Sequence, residues 1–309
     1  MSEKRSRMFL AVDVLYLGLA ILPILAAITV RVLTALPSDG ISITGAQIYF
    51  TLPMPLQDLP ITESQVNSAC LLLSIFGLCL YLTHGLQTRS VLRRQHAAEW
   101  VVEKIEGLVS GNMGEYFMGF APLIAAVIAL SAFSSLSSLF GVYPPTSDLN
   151  VVAGWAILVF ILITYYKFKC GPWRYVKSFG DPVPFLAPMN VISEVATPIS
   201  MSFRHYGNVL SGTVISTMIA AALAKASSLL LGWLPGVLGE FPFLRIGVPA
   251  VLSVYFDVFS GCLQAYIFAM LTMMYVAGAF PMEDYFRRRE KKLKNKQIKQ
   301  AEKQSTEVN

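Results

Sequence analysis

The sequence predicts an all-α polytopic membrane protein with about six membrane segments, the last two a long, strongly tilted helical hairpin. Three observations lead there. Of 309 residues, 55% are hydrophobic and only 14% charged, with a mean hydropathy of +0.58; soluble domains run at about 45–50% apolar and about 25% charged. The apolar excess falls in runs of about 20 residues, the length a helix needs to cross a bilayer core. Finally, Lys and Arg crowd into alternate connections between those runs, as polytopic chains require.

The first run extends from Met8 to about Val32 and follows the basic stretch MSEKRSR. It is too long for the apolar core of a signal peptide, and no convincing small-residue cleavage site follows. Residues 1–33 are therefore expected to be a retained first span, a cleaved signal being the minor alternative. Asp13 and Arg31 flank that span and can reach its two interfaces. Residues 34–66, with the turn sequence LPSDG, read as an external loop.

Residues 67–187 carry three peripheral spans, in the runs Val66–Leu86, Tyr116–Phe140 and Val151–Tyr166, interrupted by GVYPPTSDLN and GDPVPFLAP. Between the first two lies AAEWVVEKIEGLVSG, residues 97–111. Its apolar positions recur at helical spacing beside Glu99, Glu103, Lys104 and Glu106. That pattern predicts an amphipathic helix on the cytoplasmic surface, or a plain linker helix.

Orientation follows from the basic residues. One set of connections holds Lys4, Arg5 and Arg7, then Arg89, Arg93, Arg94 and Lys104, then Lys167, Lys169, Arg174 and Lys177. The opposite loops, 34–65, 142–150 and about 235–246, hold only Arg245. Both termini are thus expected in the cytoplasm. The net charge of +5 comes largely from the tail, residues 287–309, with nine Lys and Arg. A solvated cytoplasmic end explains it, and no nucleic-acid partner is implied. Cys70, Cys79, Cys170 and Cys262 lie in or beside apolar runs without metal-ligand spacing, and His84, His96 and His205 are scattered. Neither a metal, a cofactor nor a catalytic nucleophile–base set is expected.

Residues 188–286 form the predicted hairpin. From Val191 to Leu234 the chain stays mostly apolar with Pro198 as its one proline. As continuous helix it would run about 65 Å, against a hydrocarbon core of about 30 Å. Either the helix breaks or it is steeply inclined. GWLPGVLGEFPFLRIGVP turns the chain, and Gly247–Ala279 returns. Thr197, Ser200, Arg204, Asn208 and Ser211 fall on one stripe of the first arm; Ser253, Asp257, Ser260 and Gln264, with Gly261 alongside, fall on one stripe of the second.

Small and polar residues glue membrane helices together, which accounts for the serines and glycines. It does not account for Arg204. A central arginine costs at least about 2.5–3.5 kcal/mol on insertion scales, and intramembrane ions mark pathways. Asp257 carries a similar penalty if ionised. Lys225 lies nearer the outer end and can snorkel, and Glu194 at the cytoplasmic start of the hairpin is expected to be solvated. Arginine stays charged on burial. At 4 Å and an effective dielectric of 20 it attracts a carboxylate by about 4 kcal/mol, or about three powers of ten in proton affinity. Asp257 is fixed in the same chain, so the moving acid is expected on a partner.

TPISMSFRHYGNVLSG resembles the arginine motif of subunit a, the stator ion-channel subunit of F-type ATP synthases. SGCLQAYIFAMLTMMYVAGAF resembles that family's last helix, SSLFGVYPPTSDLN its glycine–proline turn, and FLAPMNVISEVATP its approach to the arginine. The similarity covers roughly residues 67 to 280. It implies a multi-pass subunit of a bacterial plasma membrane, partnered by a ring of c subunits, by b subunits and by the rest of the F0F1 complex. It implies no cofactor, with ATP chemistry in other subunits. Arg204 would face the ring carboxylates, with Asn208 and Gln264 beside it and a half-channel on either side for H+ or Na+. The candidate ion-translocation residues are Arg204, Asn208, Asp257, Gln264, Thr213, Ser200, His205 and Glu194.

The resemblance has departures. His205 stands where the family usually has an apolar residue, and Thr213 where an ionisable one is common. The counterpart of that ionisable residue on the last helix falls at Asp257. Residues 1–66 add to the family's common five-span plan. A different class remains open at this point: a self-contained cation-coupled transporter with Arg204 and Asp257 as its binding site. That reading would call for internal repeats and broken short helices, and neither is visible.

Overall fold

The computed structural model describes residues 2–34, 45–55, 58–87, 93–169, 184–231 and 243–280, with isolated positions between 171 and 179 and between 282 and 294. Each long apolar run becomes a helix: α1 (Ser2–Thr34), α2 (Glu63–Thr83), α4 (Ala121–Ser137), α5 (Leu149–Lys169) and α6 (Ala187–Leu231). The return arm is α7 (Phe243–Ser253), a π turn (Val254–Ser260) and α8 (Gly261–Gly278). Among the described residues six segments are long and apolar enough to cross a membrane, from Met8–Thr34 to Gly247–Gly278. The polytopic all-α fold is the observed one.

α3 (Arg93–Met113) is not among the six. Its Val109 and Met113 enter the core while the apolar Trp100, Val101 and Val102 stay exposed. A 3₁₀ turn, Glu115–Phe120, links it to α4 and buries Phe117. The core gathers Val109, Ile124, Val159, Met201, Phe268 and Met273 from α3, α4, α5, α6 and α8. Lipid is as apolar as these side chains, so close packing rather than water exclusion holds them. Ala265 and Ala269 of α8, both fully enclosed, permit that closeness.

α1 lies outside this core and packs on α2. A Cβ on Gly77 would meet the Ala20 amide nitrogen at 2.6 Å, so the two backbones touch there. Asp13 and Arg31, expected only to reach the interfaces, are instead engaged. Arg31 donates to both oxygens of the buried Glu63 at 2.8 and 2.7 Å. At the other end Asp13 contacts Nδ1 of His84 and Nη1 of Arg94, each at 2.8 Å. α1 is thus clamped at both ends.

The segment read as an external loop contains an antiparallel hairpin, β1 (Ile48–Leu52) with β2 (Leu59–Thr62), paired Phe50 to Ile61 and Leu52 to Leu59. α2 starts at Glu63, ahead of the apolar run, because its polar first turn is satisfied. Thr62 and Gln65 form a capping box, Ser64 donates to Asp148, and Asn67 donates to the Tyr143 carbonyl. α6 runs through Pro198 without a break, so of the two readings the unbroken helix is the one found. At 45 residues it measures about 67 Å, and such a helix fits a core of about 30 Å only when steeply inclined. The turn at 232–242 and most of the basic tail lie outside the described residues.

Gly77→Val should force α1 off α2, because the clashing atoms are backbone and cannot swing aside. Overpacking of this kind costs about 1–3 kcal/mol. The check is a lowered thermal midpoint of the detergent-solubilised chain, with the helical circular-dichroism signal retained before melting.

Candidate functional site

Two cavities open along α6, and Arg204 stands between them. The first is small, about 20 Å³, enough for one water. It lies toward the end of the bundle that carries the β-hairpin. Asn208 and Thr213 of α6 line it together with Asp257, Ser260 and Gln264 of the return arm and Ser138 beyond α4. Asn208 Nδ2 donates to Gln264 Oε1 at 3.4 Å, so the two polar stripes do face each other.

Glycines make this closeness possible. A Cβ on Gly212 would come within 3.1 Å of the Phe256 ring, and one on Gly261 would collide with the Ser135 side chain. The helix around Asp257 is not regular. Val254–Ser260 form a π turn with the acid at its centre. Its wider i→i+5 bonding slips the register relative to an α-helix. Asp257, Ser260 and Gln264 share the cavity wall, as their spacing predicts, whereas Ser253, grouped with them by α-helical spacing, does not line it.

The second cavity is larger, about 330 Å³, and lies at the basic end of the bundle. Lys167 of α5, Asn190, Glu194 and Thr197 of α6, and Tyr275 of α8 line it. The expectation that Glu194 is simply solvated gives way here. Its side chain is only 9% exposed and meets Lys167 Nζ at 2.9 Å. The Tyr175 hydroxyl donates to the same Oε1 at 3.0 Å. Burial first, and then that carboxylate, push the Tyr175 phenol up to about 12, so it remains a donor at neutral pH.

Thr197 in one wall and Asn208 in the other are separated by about 16 Å along the helix axis. The two walls share no residue. Arg204 belongs to neither. It is exposed, with Ser200 one turn earlier and the exposed Phe203 beside it. Among the described residues no acid forms an ion pair with it.

His205 turns the other way. It is fully buried, with Nε2 3.3 Å from Ser131 Oγ and edge-on ring contacts to Trp155 and Phe268. Successive residues of a helix point about 100° apart, which separates the exposed guanidinium from the enclosed imidazole. The structure thus gathers Asn208, Thr213, Asp257 and Gln264 in one place and Glu194 in another. Arg204 and Ser200 share the open face, and His205 lies in the core. Sequence reasoning missed Lys167 and Tyr175 as partners of Glu194. Lys167 was legible as a basic residue of a connection, but its pairing crosses from one helix to another. Among the described residues no group of three or more His, Cys, Asp or Glu could hold a metal ion.

Comparison of the sequence with known proteins gives a family and its relatives. Residues 66–277 match the family described as ATP synthase A chain. ATP synthase subunit a of Priestia megaterium is 29% identical over 237 residues, covering 72% of this chain and 94% of that protein. The subunit a of Alkalihalophilus pseudofirmus is 32% identical over 227 residues, covering 68% and 90%. That of Moorella thermoacetica is 29% identical over 227 residues, covering 72% and 93%. α1 and the β-hairpin precede the matched residues, whereas both cavities and Arg204 lie within them or at their edge. The chain belongs to the ATP synthase A chain family.

Proposed function

We propose that this chain is the ion-translocating stator of a rotary F-type ATP synthase, with Arg204 separating two access routes to a ring of c subunits. Membership of the family makes it a membrane subunit of ATP synthase that is not itself catalytic. The observation that carries the finer reading is the pair of polar cavities on opposite sides of Arg204, with no residue in common.

In this reading the basic connections face the cytoplasm of a bacterial cell, following the positive-inside rule. The cation enters from outside past Asp257, Asn208 and Gln264, with Thr213 beside them, and binds a carboxylate on a passing c subunit. The ring turns it through lipid and returns it on the cytoplasmic side, where Thr197, Asn190 and Glu194 line the way out. Arg204 blocks the direct path between the two routes. A ring carboxylate that reaches the guanidinium gains about 4 kcal/mol at 4 Å and an effective dielectric of 20, and gives up its cation. The membrane potential adds about 2.3 kcal/mol per charge per 100 mV.

The same geometry serves H+ or Na+, because the cation is held mainly by the ring. Ser200 shares the open face with Arg204 and leaves room for the approaching rotor helix. His205 packs α6 against α4, α5 and α8 and so fixes the direction in which Arg204 points. A self-contained transporter would close its binding site within one chain. Here the central cation looks outward and pairs with no described acid, which favours a partner.

Arg204→Ala should abolish ATP-driven pumping in inverted vesicles while the complex still assembles, and Arg204→Lys should recover little, because an ammonium lacks the planar fork. Normal coupled pumping by the alanine variant would end the proposal. Asp257→Asn should slow flux several-fold without uncoupling. Unchanged flux across a range of pH would take this acid out of the route.

A further inference from the structure

The large cavity holds a charged pair whose purpose the pathway alone does not explain. Among the described residues of its wall, Glu194 and Lys167 are the two that carry charge; the remainder are neutral, including Asn190, Ser193, Thr197 and Tyr275. Glu194 is nearly enclosed, while Lys167 is 29% exposed and reaches in from the last turn of α5. A lysine at that helix terminus is favoured by the backbone carbonyls around it. Tyr175 adds a second donor to the very oxygen that Lys167 holds, at 3.0 Å.

An unpaired carboxylate in such a place would hold a cation on its way out. Rapid conduction needs binding weak enough for the ion to leave, and a low-exposure acid in a confined cavity is the opposite. We propose that Lys167 is the built-in counter-cation of Glu194, a residue that sets how fast the transported cation leaves the cavity. The inference rests on the stator reading above. With Lys167 in place the wall is polar but neutral overall, and the neutral oxygens of Asn190, Ser193 and Thr197 pass the cation along. Without it, Glu194 holds each cation that arrives. A positioning staple between α5 and α6 would use the same contact, and the two roles differ in what a double substitution does.

The experiment uses the whole ATP synthase complex in inverted vesicles, reading ATP-driven pumping and passive H+ or Na+ conduction after removal of the soluble head. Lys167→Gln should reduce both several-fold. Lys167→Arg should leave them near normal. Glu194→Gln added to Lys167→Gln removes the trap along with its counter-charge and should restore flux. A double variant as slow as Lys167→Gln alone would assign the pair to a staple and overturn the inference, as would a Lys167→Gln complex that conducts normally. Arg204→Ala, run alongside, separates the two levels: if that variant also pumps, the stator reading itself fails, and if it is dead the lysine result stands on its own.

Discussion

A guanidinium cannot shed its proton in a protein interior, and this chain supplies no acid of its own, among the described residues, to neutralise the one at position 204. The arrangement around it follows from that constraint. In the proposed role the charge must be held at a fixed height and aimed in one direction, with polar surface reaching toward it from both ends but not joining. A single unbroken helix meets the first demand. α6 carries the arginine on one face and the residues of both cavities along its length, so that their spacing is set by helical rise rather than by loop geometry.

The aim is set by what lies on the opposite face. Met201, Ser202 and His205 are buried while Ser200, Phe203 and Arg204 are exposed. The imidazole against Trp155 and Phe268 gives the helix a polar key as well as apolar area. Rotation of α6 by one residue would push the guanidinium into a core built of Ile124, Val159 and Phe268, where it would find no partner. The return arm makes the complementary adjustment. Its π turn has Asp257 at its centre, and that acid shares a cavity wall with Gln264.

Much of the fold was legible in the sequence, because length and hydropathy report directly on bilayer thickness. The run read as Tyr116–Phe140 differs by one residue from the observed segment Glu115–Phe140. What escaped was structure that depends on partners distant in the chain. The strands Ile48–Leu52 and Leu59–Thr62 are short and punctuated by prolines, so their alternation is too brief to recognise. Glu63 could not be assigned to a helix without knowing that Arg31 covers it. The stripes of the hairpin were readable, and Asn208 with Gln264 confirms that they meet. The slip in register at Val254–Ser260 was not readable, since α-helical spacing had to be assumed throughout. Lys167 belongs to the same class: nothing in its local sequence distinguishes a topological charge from one bonded to Glu194.

The clamp between α1 and α2 bears on how the molecule is made. Its parts, Asp13, Arg31, Glu63, Gly77, His84 and Arg94, are all in place once the first 94 residues have been synthesised. The central core draws on α4, α5, α6 and α8, which emerge from the ribosome only afterwards. The leading pair can therefore settle in the bilayer as a finished unit, its ion pairs already formed, and offer a fixed edge to the helices that insert next.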